Sequence, residues 1–127
     1  MPTLSLTLLP DTYSVCRLAP GDPVPAPSAN PFSWVVAAPD EITFVCPGHQ
    51  APQDAQVDPG WSCLRIDQSF TFDVPGVLAS VLQPLALAGI GIFATSTFST
   101  DYVLVKAEKL EGAIAALRAA GHRIGAV

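Results

Sequence analysis

After residue 60 the hydrophobic period of the chain switches repeatedly between two and about 3.6, and the order of those switches admits few folds. Residues 61–67 alternate as Trp-Ser-Cys-Leu-Arg-Ile-Asp, the pattern of a strand with one buried face. Residues 77–88 place Val77, Val81, Leu85 and Ala88 on one helical face, with Leu78 and Leu82 beside them. The preceding Asp73-Val-Pro-Gly reads as a helix start, because Asp can accept first-turn amide hydrogens and Pro is tolerated there. Gly89 supplies the stop, and Pro84 inside the run must kink the helix or remove one of its hydrogen bonds. Two strands follow, 90–95 and 102–106, joined by a polar turn at 96–101. A second helix over 108–120 has Leu110, Ile114 and Leu117 as its apolar stripe and Gly121 as its cap, and 122–127 is a last short strand. The order strand, helix, strand, strand, helix, strand (βαββαβ) predicts an α+β, ferredoxin-like unit, in which two helices cover one face of an antiparallel sheet.

The first 60 residues are less regular. Residues 4–8 alternate as Leu-Ser-Leu-Thr-Leu, Pro10-Asp11 is a turn signal, and 13–18 is a second strand, so the three predict a hairpin. Five of the 13 prolines fall in 19–31, where fixed φ angles and missing donors exclude a long helix or a central strand. Segments 32–37 and 41–46, with Pro39-Asp40 between them, predict a second hairpin. The polar, Pro-rich 47–60 is expected to be a surface loop. The organisation expected is therefore an irregular N-terminal unit over 1–60 and a complete βαββαβ unit over 61–127.

Composition narrows the function classes. Half of the residues are apolar and 13% are charged, which supports a well-packed fold. The net charge is -5, and the six Lys and Arg at 17, 65, 106, 109, 118 and 123 form no basic stripe, which argues against nucleic acid. There is no signal-peptide pattern and no apolar stretch of membrane-spanning length free of breaks, so a cytoplasmic protein without a membrane partner is expected. Cys16, Cys46 and Cys63 lie in apolar runs and read as buried free thiols.

No catalytic constellation can be assembled. His49 and His122 sit in no motif; Cys46-Pro-Gly-His49 is a single pair, short of a tetrahedral metal site. Gly89-Ile-Gly91 follows a helix and enters a strand, the reverse of a nucleotide-binding loop. Neither a metal nor another cofactor is expected. Two acidic residues and one hydroxyl-rich turn are the better candidates. The amides of Gly76 and Val77, at the helix start, could hold a ligand carboxylate, while Asp73 or Asp101 holds an ammonium or guanidinium group. The run Thr95-Ser-Thr-Phe-Ser-Thr could line a pocket beside them. The same residues also fit plain structural duties, an N-cap for Asp73 and a turn position for Asp101.

The segment Ile92-Phe-Ala-Thr-Ser-Thr-Phe-Ser-Thr-Asp-Tyr-Val-Leu-Val-Lys106 resembles the Ile-Ser-Thr-Phe-x-Thr-Asp-Tyr-x-Leu-Val signature of short bacterial tandem ACT-domain proteins. This family is related to the ACT domains of the animal cytosolic arginine sensor and of aspartate kinases. Asp73-Val-Pro-Gly-Val-Leu-Ala, Pro84-Leu-Ala-x-Ala-Gly-Ile90, the segment from Leu6 to Leu18 and Gly60-Trp-x-Cys-Leu-x-Ile66 match the same family, so the likeness spans nearly the whole chain. The resemblance implies two ACT units per chain, a homodimer, and an amino acid held where units or subunits meet. It places Thr97, Phe98, Thr100 and Asp101 on the pocket loop and Asp73, Val74, Gly76 and Val77 on the facing helix-start loop, with Val74 where the arginine sensor carries a second acidic residue. A regulatory binding protein without catalysis is the reading this implies, acting through ligand-dependent geometry or a regulated partner protein. The alternative is a structural or interaction protein that uses the ACT sheet for self-association.

Overall fold

The computed structural model describes residues 3–27, 32–68 and 73–126. Residues 28–31 of the proline-rich loop and Val127 of the last expected strand lie outside the described residues. The elements are β1 (Ser5–Leu18), β2 (Trp34–Ala37), β3 (Ile42–Pro47), β4 (Gln56–Ile66), α1 (Val77–Leu87), β5 (Phe93–Ser96), β6 (Asp101–Lys106), α2 (Leu110–Ala119) and β7 (Arg123–Ala126). Two single 3-10 turns, Gly48–Gln50 and Ala107–Lys109, complete the set. The chain divides into two compact units, Met1–Pro10 with Ser62–Val127, and Asp11–Trp61.

The larger unit contains the expected strand, helix, strand, strand, helix, strand order and adds the first part of β1 to it. Its core gathers Leu64 and Ile66 of β4, Val77, Val81 and Leu85 of α1, Val103 and Val105 of β6, and Ala113 and Leu117 of α2; of the expected helix stripes, Ala88 is exposed and Ile114 lies outside the cluster, where Ala113 packs instead. Leu4 and Leu6 join this cluster, with Leu8 packed against it, so the alternation at the start of the chain serves the same helix-covered face. Each such Leu or Val contributes about 1.5–3 kcal/mol by leaving water.

Strand β7 corrects the expectation of a purely antiparallel sheet closed within 61–127. It pairs in parallel with β1, Ser5 opposite Arg123 and Leu8 opposite Ala126, while β5 and β6 pair antiparallel, Phe93 opposite Leu104 and Ser96 opposite Asp101. The N-terminal strand takes a place in the sheet, between β7 and β4, that the 61–127 pattern alone assigns to no other segment.

Two further corrections concern the first 60 residues. Pro10-Asp11 does not reverse the chain: β1 runs uninterrupted from Ser5 to Leu18. Proline's fixed φ fits extended backbone, Pro10 is exposed, and the change from one compact unit to the other falls between these two residues. The expected loop 47–60 is also shorter than its composition suggests, since β4 already begins at Gln56. Gly60 allows this, because it holds φ 79 within the strand, a left-handed geometry that glycine adopts without strain.

The smaller unit is an antiparallel arrangement of β2, β3 and the later part of β1, with Trp34 opposite Val45 and Cys16 opposite Phe44. Among its described residues the only helical segment is the Gly48–Gln50 turn. Its core gathers Cys16, Phe44 and Cys46, with Val35, Ala51 and Ala55 against them. All three cysteines are free and buried, as their apolar surroundings suggest.

Pro84 leaves α1 unbroken but removes the N–H that would bond the Ser80 carbonyl one turn back. Ser80 is buried, so that oxygen needs another donor. His122 provides it: Nε2 lies 2.7 Å from the Ser80 oxygen, and Nδ1 accepts the Leu4 N–H at 3.0 Å. The ring can make both bonds as the Nε2–H tautomer.

Candidate functional site

The start of α1 and the β5–β6 turn face each other inside the larger unit and enclose a pocket of about 250 Å3. Val74, Gly76, Val77, Leu78 and Ala79 form one wall, and residues 97–101 the other. Both walls come from the same chain.

The helix wall begins where a glycine permits it. Gly76 is the N-cap of α1 at φ 82, with no side-chain cap hydrogen bond, and the first helical bond runs from the Ser80 N–H to the Gly76 carbonyl at 3.0 Å. The amides of Val77, Leu78 and Ala79 therefore have no carbonyl ahead of them in the helix, and they give this end of α1 a partial positive charge. Asp73 stands three residues before the cap; it is exposed and is not part of the pocket lining. Alanine at position 76 would have to adopt a left-handed conformation, so Gly76→Ala is expected to lower stability by about 1–2 kcal/mol. Urea denaturation checks this; an unchanged midpoint would mean that the turn relaxes to ordinary φ values.

The opposite wall is a tight turn braced by its own hydroxyls. The Thr97 N–H donates to the Thr100 carbonyl at 2.8 Å, and the Thr97 hydroxyl lies 3.2 Å from both the Thr100 oxygen and the Thr100 amide. The Thr100 hydroxyl donates to the Ile66 carbonyl at 2.7 Å and lies 3.2 Å from that of Gln68, which ties the turn to the end of β4. Thr100 is thus chiefly a brace, and its hydroxyl proton is already committed. Phe98, at the tip of the turn, lines the pocket mouth and is 85% exposed.

Asp101 is the one charged residue among those lining the pocket. It alternates with Val103 and Val105, which pack in the helix-covered core, so its side chain leaves the sheet on the side of α1. Ser96, directly opposite in the ladder, donates its hydroxyl to the Asp101 carboxylate and fixes the orientation of that group. Ser96 aids the site through Asp101, a role that sequence spacing alone did not reveal; Leu78 and Ala79 also line the pocket without having been singled out, and Ser99 lines it as part of the expected hydroxyl run. The strand register that pairs Ser96 with Asp101 is the signal that finds the first of these. Chemically, the pocket sets one oriented carboxylate and the first-turn amides of a helix, which have no partner within that helix, among apolar lining residues. No group of three or more His, Cys, Asp or Glu able to hold a metal ion occurs among the described residues.

Comparison with known proteins agrees with this architecture. The family model described as ACT domain matches residues 56–119. A solved protein of Agobacterium tumefaciens is 38% identical over 100% of this chain and 96% of its own, with a TM-score of 0.92. The regulatory subunit of aspartate kinase from Thermus thermophilus superposes with a TM-score of 0.64 at 18% identity, covering 91% of this chain and 95% of that one. A Vibrio cholerae protein described as a possible transport protein gives 0.66 at 17% identity, covering 91% and 88%. These last two share the fold. With the family model covering half of the sequence and the Agobacterium relative all of it, the chain belongs to the ACT domain family.

Proposed function

We propose that this chain is a cytoplasmic regulatory protein that binds a small molecule, an amino acid, in the pocket between the start of α1 and the β5–β6 turn, without catalysing a reaction. The observation that carries this reading is the pairing of opposite electrostatic features across 250 Å3: Asp101 for an ammonium group, and the first-turn amides of α1 for a carboxylate. The volume is just under the roughly 300–1,000 Å3 of drug-sized pockets, which suits a small metabolite. Two ACT-like units per chain and a homodimer belong to the same reading, in which a second copy covers the open side at Phe98 and occupancy alters the dimer or a regulated partner protein.

A thermal-shift screen of the twenty amino acids tests it. At a hundredfold excess over Kd the bound form gains about 2.7 kcal/mol of stability. Asp101→Ala is expected to weaken the responding amino acid roughly 10- to 100-fold in calorimetric titration, because charge-assisted hydrogen bonds contribute about 1.5–3 kcal/mol. Unchanged affinity in that variant would remove Asp101 from the site.

A second reading, a protein that mainly self-associates, is favoured by one observation. Residues 74–100 contain no Asp, Glu, Lys or Arg, and Val74, Leu87, Ile92 and Phe98 within them are exposed. In that case none of the twenty amino acids moves the melting temperature, while sedimentation still shows a dimer.

A further inference from the structure

The relay through His122 ends at the pocket. Ser80 is gripped at three atoms: its carbonyl by His122 Nε2 at 2.7 Å, its N–H by the Gly76 carbonyl at 3.0 Å, and its hydroxyl by the Val77 carbonyl at 2.6 Å. Gly76 and Val77 are residues of the pocket wall. The imidazole itself is held by the Leu4 N–H at Nδ1, and the backbone of residue 122 by the Leu117 carbonyl at 3.0 Å. His122 is 4% exposed and lies at the floor of a groove between α1 and α2, beside Pro84, Ala116 and Ala120.

In an ordinary helix the Ser80 carbonyl would be satisfied by the N–H of residue 84, and a remote histidine would add little. Proline at 84 removes that option, so the position of the first turn of α1 depends on a side chain from the far end of the sequence. We propose that His122 is a positioning residue for the pocket: acting through Ser80, it fixes the helix wall against Leu4, the residue just before β1, and Pro84 creates this dependence. Its importance for binding rests on the function proposed above.

Native-state hydrogen exchange on the whole chain, with no amino acid added, tests the positioning separately from the binding. In His122→Leu the Ser80 amide is expected to exchange at least about tenfold faster relative to the Leu104 amide of β6, since a buried carbonyl is left unsatisfied. Adding Pro84→Ala restores a helix donor to the Ser80 carbonyl and should return most of the protection at Ser80, while the Leu4 amide stays fast. His122→Gln, which offers an acceptor and a donor on one amide, should retain protection at both positions better than leucine does. Equal acceleration at Ser80 and Leu104, or no recovery on adding Pro84→Ala, would overturn the proposal. Nitrogen NMR of the unmodified protein gives a measurement that does not depend on any variant folding. A proton on Nε2 and a bare Nδ1 are expected, and the opposite tautomer would be fatal to the relay. An amino-acid screen without a hit leaves these outcomes untouched.

Discussion

Raising the pH from about 8 to about 11 is expected to cost the folded state roughly 2–3 kcal/mol through the buried Cys63 thiol, with Cys46 acting in the same direction. Burial pushes Cys63 from the ordinary 9.0 up to about 12, against a smaller opposing pull from Arg65. Burial also pushes Cys46 to about 12, reinforced by the charge of Cys16 and by its hydrogen bond with that thiol. Above pH 9 the unfolded chain releases these protons while the folded chain keeps them. The stabilisation present below pH 9 is therefore lost as pH rises toward 12, at about 1.4 kcal/mol per unit for Cys63 and in the same direction for Cys46. Urea midpoints measured along this range should fall steeply, and Cys63→Ala should make the slope shallower even if it lowers the starting stability. Parallel slopes for the two proteins would show that Cys63 ionises in the folded state as readily as in the unfolded one.

Leu64→Ala is expected to destabilise the protein by about 2–5 kcal/mol, the usual range when a fully buried leucine is truncated and the cavity only partly collapses. Leu64 is completely buried in the cluster that joins β4 to both helices. The contrasting change is Leu87→Ala on α1, where the side chain is 83% exposed and little apolar burial is lost. That variant should stay within about 0.5 kcal/mol of the parent. Chemical denaturation of the pair decides the matter, and similar losses for both would mean that the outer face of α1 is covered in solution.

The parts of the fold that were legible in the sequence are those specified by local period. Val77, Val81 and Leu85 face the core as their spacing requires, and Val103 and Val105 do so by alternation. What escaped was decided by partners distant in sequence. Nothing near residues 123–126 says that their ladder neighbour is Ser5–Leu8, and Pro10-Asp11 carries the chemistry of a turn while marking a change of unit within one strand. The candidate site divides in the same way. Val74, Gly76, Val77, Thr97, Phe98, Thr100 and Asp101 do line one pocket, whereas Asp73, three residues before the Gly76 cap, does not. Thr100, expected on the pocket loop, lines the pocket while donating its hydroxyl proton to the Ile66 carbonyl, a tie to β4 that no local pattern announces.

The shared strand β1 also bears on how such a module can be inherited. A gene fragment beginning at residue 61 would encode the whole βαββαβ order yet leave Arg123–Ala126 facing solvent where Ser5–Leu8 belongs, with Leu4 and Leu6 missing from the core. Duplication or fusion of this module must therefore copy residues 4–8 together with 62–126, and a recombination breakpoint between them would separate a core from the strand that completes it.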